Sequence, residues 1–414
     1  MATLPFKEDA FKKESLQEAE LDFGNSSPSH TTKKQDKKTS SPLSEQEKIA
    51  RICLYRSQNV GPVTYRNLIK RYKTAATALE ALPDLASRGG LKAPLKLYST
   101  EKVYQELKAH EKLGASLVVE GEKNYPKALR DLNEAPPVLS IHGDPALFKS
   151  IGVAIVGARN CSLNGKKMVQ QLAQSLGQEG YAIVSGLARG IDGQAHQTSL
   201  ATGTIAVIAG GIDKIYPPEH ETLFAQIKEQ GVVVAESIIG TEPQSTLFPR
   251  RNRLISGLSQ AVIVVEAALQ SGSLITARYA AEQNRDVFVV PGSPMDPRYR
   301  GSNALIRNGA TLITKSQDVL DVLNEPYRQI MKEATFEEEQ ATEQDNYLEE
   351  LPEHDSKTAE DLSKKIMDQL SSAPIFLDEL IRECSYSSSI VLSALLELEL
   401  AGKITRHPGN KIST

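Results

Sequence analysis

Three arginine-bearing turns lie in the middle of the chain. Two of them follow short β-branched runs, VAIVGAR at Val153–Arg159 and YAIVSGLARGID at Tyr181–Asp192, and the third, FPRRNRLISGLS at Phe248–Ser259, opens a helix. A glycine-rich turn between a strand and a helix presents unpaired backbone N–H groups, and a neighbouring arginine adds a full positive charge. The pattern therefore predicts a surface that binds phosphate groups.

Seven arginines fall in or just after turns that we expect at one edge of a sheet. A single exposed arginine is ordinarily a solvated surface residue. A whole row repels itself, and the same turns contain no obvious acids to offset that repulsion. Several phosphates spaced along a strand of nucleic acid would offset it, so the expected ligand is a polyanion. The seven are Arg159, Arg189, Arg250, Arg251, Arg253, Arg298 and Arg300.

Alternating strands and helices, beginning at Ala115, must position these turns. Near-continuous Val, Ile and Ala runs between helices indicate a parallel sheet buried on both faces. Right-handed crossovers bring every strand-to-helix turn to the same edge of such a sheet. The predicted strands are 116–119, 138–142, 153–157, 182–185, 205–209, 232–235, 261–266, 287–291 and 311–314, and the predicted helices are 166–178, 193–201, 219–229, 252–258 and 275–283.

Nucleotide-dependent enzymes fit the turns poorly. The first turn reads Gly157-Ala158-Arg159 and lacks the G-x-G-x-x-G pattern of dinucleotide sites, and Ser185-Gly186 stands where a ribose-binding acid is expected. A Walker lysine motif is absent as well. The sequence therefore disfavours NAD binding and ordinary ATP hydrolysis, and we expect no cofactor.

Candidate acids, bases and nucleophiles near the turns have simpler structural interpretations. Asp192 stands at a helix start, where a carboxylate caps free amides, and His196 can satisfy a backbone group. Cys161 has no evident histidine partner. The other candidates are Glu236, Glu266 and Glu282. We predict a protein that is not an enzyme and that has no metal site.

The length of 414 residues favours two or three domains. No uninterrupted apolar run is long enough for a membrane span, and the N-terminus lacks the apolar core of a signal peptide, so we expect a cytoplasmic protein without a membrane partner. The three cysteines are widely separated, as free thiols in a reducing compartment would be. The predicted boundaries are a disordered tail over 1–43, a small helical domain over 44–115, a Rossmann-like α/β domain over 116–325, an acidic linker over 326–356 and a winged-helix domain over 357–414.

The net charge of −4 conceals an uneven distribution. Ten acidic residues and no Lys or Arg lie between Glu333 and Asp355, and subtracting their −10 from the total leaves +6 on the remainder of the chain. The predicted folded parts are therefore basic, as suits a nucleic-acid partner.

Both flanking domains leave two interpretations open. The turn at Asn59–Pro62 between two helices is typical of a helix-hairpin-helix that holds a DNA phosphate, and also of a helical domain that only packs its own core. Three helices and a hairpin near the C-terminus are typical of a winged helix. Its recognition helix carries Glu397 and Glu399, which disfavour entry into a DNA groove, so a protein-contact role is equally open.

The ordered motifs of the central region closely resemble the DNA-processing protein A (DprA, also called Smf) family. The resemblance covers roughly 117–323 and rests on VAIVGAR, SGLARGIDGQAH, FPRRNRLISGLS, VVEAALQSGSLITARYAAEQ, VFVVPG and GSNALIRNGA. It implies an extended Rossmann fold between a helical and a winged-helix domain. It also implies a homodimer that binds single-stranded DNA, protects incoming strands in natural transformation and helps to load the RecA recombinase.

The resemblance also implies roles for particular residues. Arg159 and Arg189 match the family's positive pocket, which holds the DNA backbone. The chain has Asn164 where many members have an aromatic residue. Phe248 and Tyr216 are the candidates for base stacking. The implied DNA-binding residues are Gly157, Arg159, Ser185, Gly186, Arg189, Arg250, Arg251, Asn252 and Arg253.

Two other functions remain open at this point. The stretch Ser271–Glu282 distantly resembles the lysine-decarboxylase-like proteins that cleave nucleotides, and on that hypothesis Glu282 would act on a glycosidic bond beside Arg278. Alternatively, the chain is an adaptor whose winged helix mainly recruits protein partners. Release of free base from a nucleoside monophosphate would favour the enzyme over the DNA-binding protein.

Overall fold

The structure, a computed structural model, describes residues 43–324, 356–407 and 409–414. The predicted disordered tail and acidic linker fall almost wholly outside these ranges, and the predicted domain boundaries stay a prediction. None of the helices in the described ranges is long and apolar enough to cross a membrane.

A nine-stranded sheet with the order β1-β2-β6-β5-β4-β3-β7-β8-β9 forms the centre of the molecule. The strands from β3 onward are parallel, as the sequence predicts. The expectation of a wholly parallel sheet is wrong at one edge, where β1 pairs antiparallel with β2 and β2 pairs antiparallel with β6. No α-helix lies between β1 and β2, and without a helical crossover neighbouring strands pair antiparallel. The strands are β1 Ser116–Val119, β2 Val138–Gly143, β3 Gly152–Gly157, β4 Ala182–Ser185, β5 Thr204–Ile208, β6 Val232–Ala235, β7 Ala261–Val265, β8 Asp286–Val289 and β9 Thr311–Leu312.

Helices cover both faces of this sheet and bury alternate residues of its strands in two apolar cores. The connection through β4, β5 and β6 runs to one side of β3, and β7 to β9 lie on its other side. The direction of the connections therefore reverses between β3 and β7. The helices are α5 Leu163–Gln178, α6 Ile191–Ser199, α7 Glu221–Gln230, α8 Leu247–Gly257, α9 Ser273–Glu282, α10 Arg300–Arg307 and α11 Ser316–Leu323.

Within residues 43–115, four helices precede the sheet and pack around their own apolar core, which also takes in residues of β1 and β2. Ser44, Thr74 and Ser99 cap three of them by accepting a hydrogen bond from a first-turn amide. The second helix begins with Pro62, which has no amide hydrogen to leave unsatisfied at that position. These helices are α1 Glu45–Arg56, α2 Pro62–Tyr72, α3 Ala75–Arg88 and α4 Thr100–Lys112.

The C-terminal part has the predicted winged-helix pattern of helices and a hairpin. Its last helix, α14, does not face solvent. Leu396 and Leu400 complete the apolar core of the N-terminal helices. Arg88 Nε lies 3.2 Å from a carboxylate oxygen of Glu397, and the Asn59 side-chain amide donates to the carbonyl of Leu400 at 2.9 Å. The elements are α12 Ser356–Gln369, β10 Ile375–Phe376, α13 Leu377–Cys384, α14 Ser388–Leu400, β11 Thr405–His407 and β12 Lys411–Ser413.

Candidate nucleic-acid interface

The turns that follow β3 and β4 are in direct contact. These strands are parallel neighbours, so their carboxyl ends lie side by side. Ile191 N–H donates to the carbonyl of Ala158 at 3.2 Å. Gly190 has a φ of 76°, and a Cβ atom there would lie 2.3 Å from the Ala158 oxygen. Only glycine allows this approach, which brings the Arg159 and Arg189 turns together.

Arg159 lies beside a pair of aromatic rings, of which Tyr216 is exposed and Phe248 is half-buried. Its guanidinium carbon is 5.6 Å from the centroid of the Phe248 ring. The Tyr216 ring packs on Phe248 at a centroid distance of 5.4 Å and is 41% exposed. No carboxylate forms a salt bridge with Arg159 in the described part of the chain. The arrangement places an exposed cation next to flat apolar surface.

The other rim arginines are exposed, and acids accompany three of them. Arg189 pairs with Glu219 at 2.5 Å, and both side chains are more than half exposed. Arg298 pairs with Asp296 at 2.7 Å, while Arg250 is 4.0 Å from Glu236. The expectation that these turns lack acids is therefore wrong for Arg298, whose partner Asp296 lies in the same turn, while Glu219 and Glu236 come from other segments of the chain. Because exposed ion pairs contribute little to stability, a phosphate can replace the carboxylate at small cost.

Arg251 does not reach the rim, so the expectation that places it there is wrong. It is 6% exposed, and its Nη1 donates to the carbonyls of Gly186 and Val207. Burial lowers its pKa to about 10, and Asp192 opposes the shift. The carboxylate of Asp192 in turn accepts a hydrogen bond from Gly186 N–H at 3.2 Å. Arg251 therefore holds the base of the second arginine turn from inside.

Arg253 is likewise internal, contrary to the sequence-based expectation. Its Nη2 lies 2.7 Å from both carboxylate oxygens of Glu236, and its Nη1 donates to the carbonyl of Glu134 at 2.6 Å. The Tyr55 hydroxyl donates to the same carboxylate at 2.7 Å. Arg251 and Arg253 lie in a part of α8 that is enclosed on all sides, since every residue from 251 to 257 is buried. The groups that hold Arg253 here, the Glu236 carboxylate and the Glu134 carbonyl, are remote from it in sequence.

The remaining sequence-predicted site residues are also internal. The Asn252 side-chain amide donates to the carbonyl of Gly272 at 3.2 Å, and the Ser185 hydroxyl donates to the carbonyl of Ile155 at 2.6 Å. A Cβ atom on Gly157 would lie 1.9 Å from the Val265 carbonyl oxygen. A Cβ atom on Gly186 would lie 2.2 Å from Nη1 of Arg251. These residues shape the turns, and their DNA-contact role stays a prediction.

His196 has the structural role that the sequence predicts, a hydrogen bond to a backbone group, whereas the prediction that Asp192 caps a helix is wrong, because α6 has no side-chain cap and the Asp192 carboxylate accepts from Gly186 N–H in the preceding turn. His196 is fully buried, and its Nε2 accepts from Leu187 N–H at 3.3 Å while Nδ1 is 2.7 Å from the Thr204 hydroxyl. Burial lowers the pKa of His196 to about 3 and raises the pKa of Cys161. The His196 imidazole is therefore held neutral and links β4 to β5, and the Cys161 sulfur is held as a thiol.

The neutral His196 predicts a dependence of stability on pH. An unfolded imidazole binds a proton below a pKa of about 6.5, whereas the folded one stays neutral down to about 3. The unfolded state therefore gains protons first, and the free energy of unfolding falls as pH drops. Between pH 7 and 5 we expect a loss of about 2 kcal/mol that His196→Gln does not show. Thermal denaturation of both proteins at the two pH values measures it, and equal losses would contradict the assignment.

Glu282, the residue of the nucleotide-cleaving hypothesis, lies away from the arginine turns. It is the last residue of α9, whose first residue follows the carboxyl end of β7. At about 1.5 Å per residue, the length of the helix separates it from the rim. Its carboxylate lies 3.7 Å from Arg278 on the helix surface. The structure does not bring it to a phosphate-binding turn.

Comparison with known proteins agrees with this architecture. The family model described as DNA recombination-mediator protein A matches residues 116–324, half of the chain. The chain belongs to this mediator family. Models of its flanking domains match too, the DprA-like N-terminal HHH domain over residues 45–109 and the DprA winged helix domain over residues 350–410. The resemblance read from the motifs is therefore confirmed.

Two relatives in the mediator family match along most of their own length. Protein Smf of Synechocystis is 33% identical over 85% of this chain and 95% of the relative. The DNA processing protein DprA of Bacillus subtilis is 41% identical over 62% of this chain and 90% of the relative. The X-ray structure of DprA from Streptococcus pneumoniae has a TM-score of 0.56 and 36% identity, covering 66% of this chain and 96% of that one. Membership in the mediator family indicates a role in DNA processing and recombination.

Proposed function

We propose that this chain binds single-stranded DNA through its phosphates at the carboxyl edge of β3 and β4. The observation that carries the proposal is the contact between two turns that each present an exposed arginine, Arg159 and Arg189. Arg250, on α8, extends this cationic surface. Contacts to phosphate position a strand without reading its sequence, so we expect weak sequence preference.

The aromatic pair favours a single strand over a duplex. In a duplex the faces of the bases are covered by stacking, whereas a single strand can place a base on an exposed ring. Phe248 and Tyr216 offer such a surface next to the Arg159 cation. A strand held by phosphate on the arginines, with one base on the rings, leaves most bases free to pair.

We further propose the biological role that membership in the family suggests. The chain, as a homodimer, would protect incoming single strands in natural transformation and deliver them to RecA with their bases accessible. Binding and positioning suffice for this task, so the proposal includes no catalytic residue and no cofactor. Glu282 lies too far from the arginine turns for the nucleotide-cleaving alternative to be favoured.

The salt dependence of binding tests the proposal. If about five phosphates are neutralised, the logarithm of the affinity for an oligothymidylate falls with the logarithm of salt at a slope near −3.5. Fluorescence anisotropy across a chloride series measures this slope. Tyr216→Ala is the matched control, because it removes the exposed ring and leaves in place Phe248, which contacts Arg159, so the affinity should fall at every salt concentration with an unchanged slope. A flat salt response of the wild-type protein would refute phosphate binding.

A further inference from the structure

The crevice between β3 and β7 is the place where this type of sheet ordinarily binds a ligand. The direction of the connections reverses there, and open α/β sheets bind ligands outside the carboxyl ends of the strands at such a point. The ligand's phosphate then lies on the first turn of the helix that follows the central strand. In this chain that helix is α5, and its N-cap is Ser162.

An internal carboxylate already lies against the N-cap residue of α5. Glu266 directly follows β7, and its Oε2 accepts a hydrogen bond from Ser162 N–H at 2.8 Å. Its Oε1 accepts hydrogen bonds from the Ser162 hydroxyl and, at 2.9 Å, from the Tyr299 hydroxyl. An amide at a helix start and two hydroxyls form a donor set that a phosphate would also use.

The carboxylate is fixed in this position. Glu266 is 0% exposed, and a Cβ atom on Gly165 would lie 2.7 Å from its Oε1. Burial and the hydrogen bond to Glu266 raise the pKa of Tyr299 to about 12, so its hydroxyl remains a donor at neutral pH. The backbone of Glu266 has a φ of 55°, a left-handed conformation that a non-glycine residue adopts at some cost. The surrounding contacts offset that cost, and the side chain stays directed at α5.

We propose that Glu266 determines which class of ligand this chain binds, by acting as an internal anion where a nucleotide phosphate would otherwise lie. It excludes free phosphate and the phosphates of mononucleotides and dinucleotides, both by filling the site and by its charge. The inference rests on the proposed function, because the phosphates that remain able to bind are those that approach the exposed Arg159 and Arg189 from outside. A polymer supplies several of these at once, whereas a mononucleotide supplies one.

Removal of the carboxylate in the full-length protein tests this inference. In Glu266→Ala we expect inorganic phosphate to bind at least about tenfold more tightly than to the wild-type protein, as measured by calorimetry in chloride-matched buffer. Glu266→Leu, which loses the charge but fills the space, should show no gain. Parallel titration with thymidine monophosphate identifies the source of the ligand. Tighter binding of both probes assigns the site to nucleotides, and tighter binding of phosphate alone assigns it to the free ion.

The outcomes separate this inference from the proposed function. A folded Glu266→Ala protein that gains no phosphate binding overturns the role of Glu266, whatever its affinity for oligothymidylate. If the alanine variant does not fold in chloride, added phosphate should restore its circular dichroism and should not restore that of Glu266→Leu. Failure of phosphate to restore it also overturns the inference. A wild-type protein that does not bind oligothymidylate would instead refute the proposed function.

Discussion

Replacing Arg159 and Arg189 together by alanine should lower the affinity for oligothymidylate about a hundredfold at low salt. Each arginine is expected to make a charge-assisted contact with a phosphate, and two such contacts together contribute about 3 kcal/mol. The loss of two neutralised phosphates should also reduce the magnitude of the salt slope by about 1.4. Fluorescence anisotropy of the double variant across a chloride series measures both quantities.

Arg278→Ala is the matched control for this double variant. Arg278 is about as exposed as Arg189, with 60% of its side chain accessible, but it lies on the surface of α9. Its removal should leave affinity and salt slope close to those of the wild-type protein. An equal loss in Arg278→Ala would mean that binding follows overall charge rather than the two turns, and would contradict the proposed site.

The single variants Arg159→Ala and Arg189→Ala should differ in affinity, because only Arg189 has to be separated from a carboxylate, that of Glu219. In the described part of the chain Arg159 has no ion pair to break before it binds a phosphate, whereas Arg189 must first break its ion pair. Arg159 also contacts the Phe248 ring, which orients its guanidinium toward the aromatic pair. We therefore expect Arg159→Ala to account for the larger part of the combined loss.

The sequence allowed prediction of the parallel strands and the crossover helices, because both have a strong periodicity of their own. Most of their boundaries agree with the structure within three residues, as for β4 at Ala182–Ser185 and α9 at Ser273–Glu282, but α8 begins at Leu247, five residues before the predicted start. The antiparallel edge escaped prediction since strand direction depends on the connection between β1 and β2, and that connection has no periodicity to read.

Side-chain burial in α8 could not be predicted from the sequence. FPRRNR places three arginines within four residues, and composition alone makes all of them equally suited to a phosphate. The face that turns inward is decided by partners far away in the chain, namely Glu236, Glu134 and the carbonyl of Val207. The same limit concealed the contacts of Glu266, which the sequence marks only as a candidate acid, because its partners Ser162 and Tyr299 lie on other loops.

The packing of the winged-helix domain against the N-terminal helices could not be predicted from the sequence either. The two acids of α14 disfavour entry into a DNA groove, which stays a prediction, and the structure shows what they contact. Glu397 lies next to Arg88 of the N-terminal helices, and Glu399 pairs with Arg406 at 2.9 Å. A helix that completes the core of another part of the molecule presents no recognition surface in this arrangement. Deletion of residues 357–414 would therefore expose that core as well as remove the domain.

Arg253→Met should lower the melting temperature by about 6–12 °C, the largest effect on stability that we expect from the FPRRNR arginines. The change leaves the carboxylate of Glu236 largely buried without its main cation, which costs about 3 kcal/mol or more. In a domain of this size each kcal/mol corresponds to about 2–4 °C. Thermal denaturation followed by circular dichroism measures the shift.

Arg250→Ala is the control for Arg253→Met, and the pair of variants separates positioning from contact. Arg250 is 63% exposed and 4.0 Å from the same carboxylate, so its loss should change the melting temperature little. The salt slope of DNA binding should show the opposite order, with the larger change in Arg250→Ala. At temperatures where both proteins are folded, Arg250→Ala should reduce the salt slope by about 0.7 and Arg253→Met should not change it. A reduced slope in Arg253→Met would mean that the buried arginine reaches a phosphate after all, because only a released counterion alters the slope.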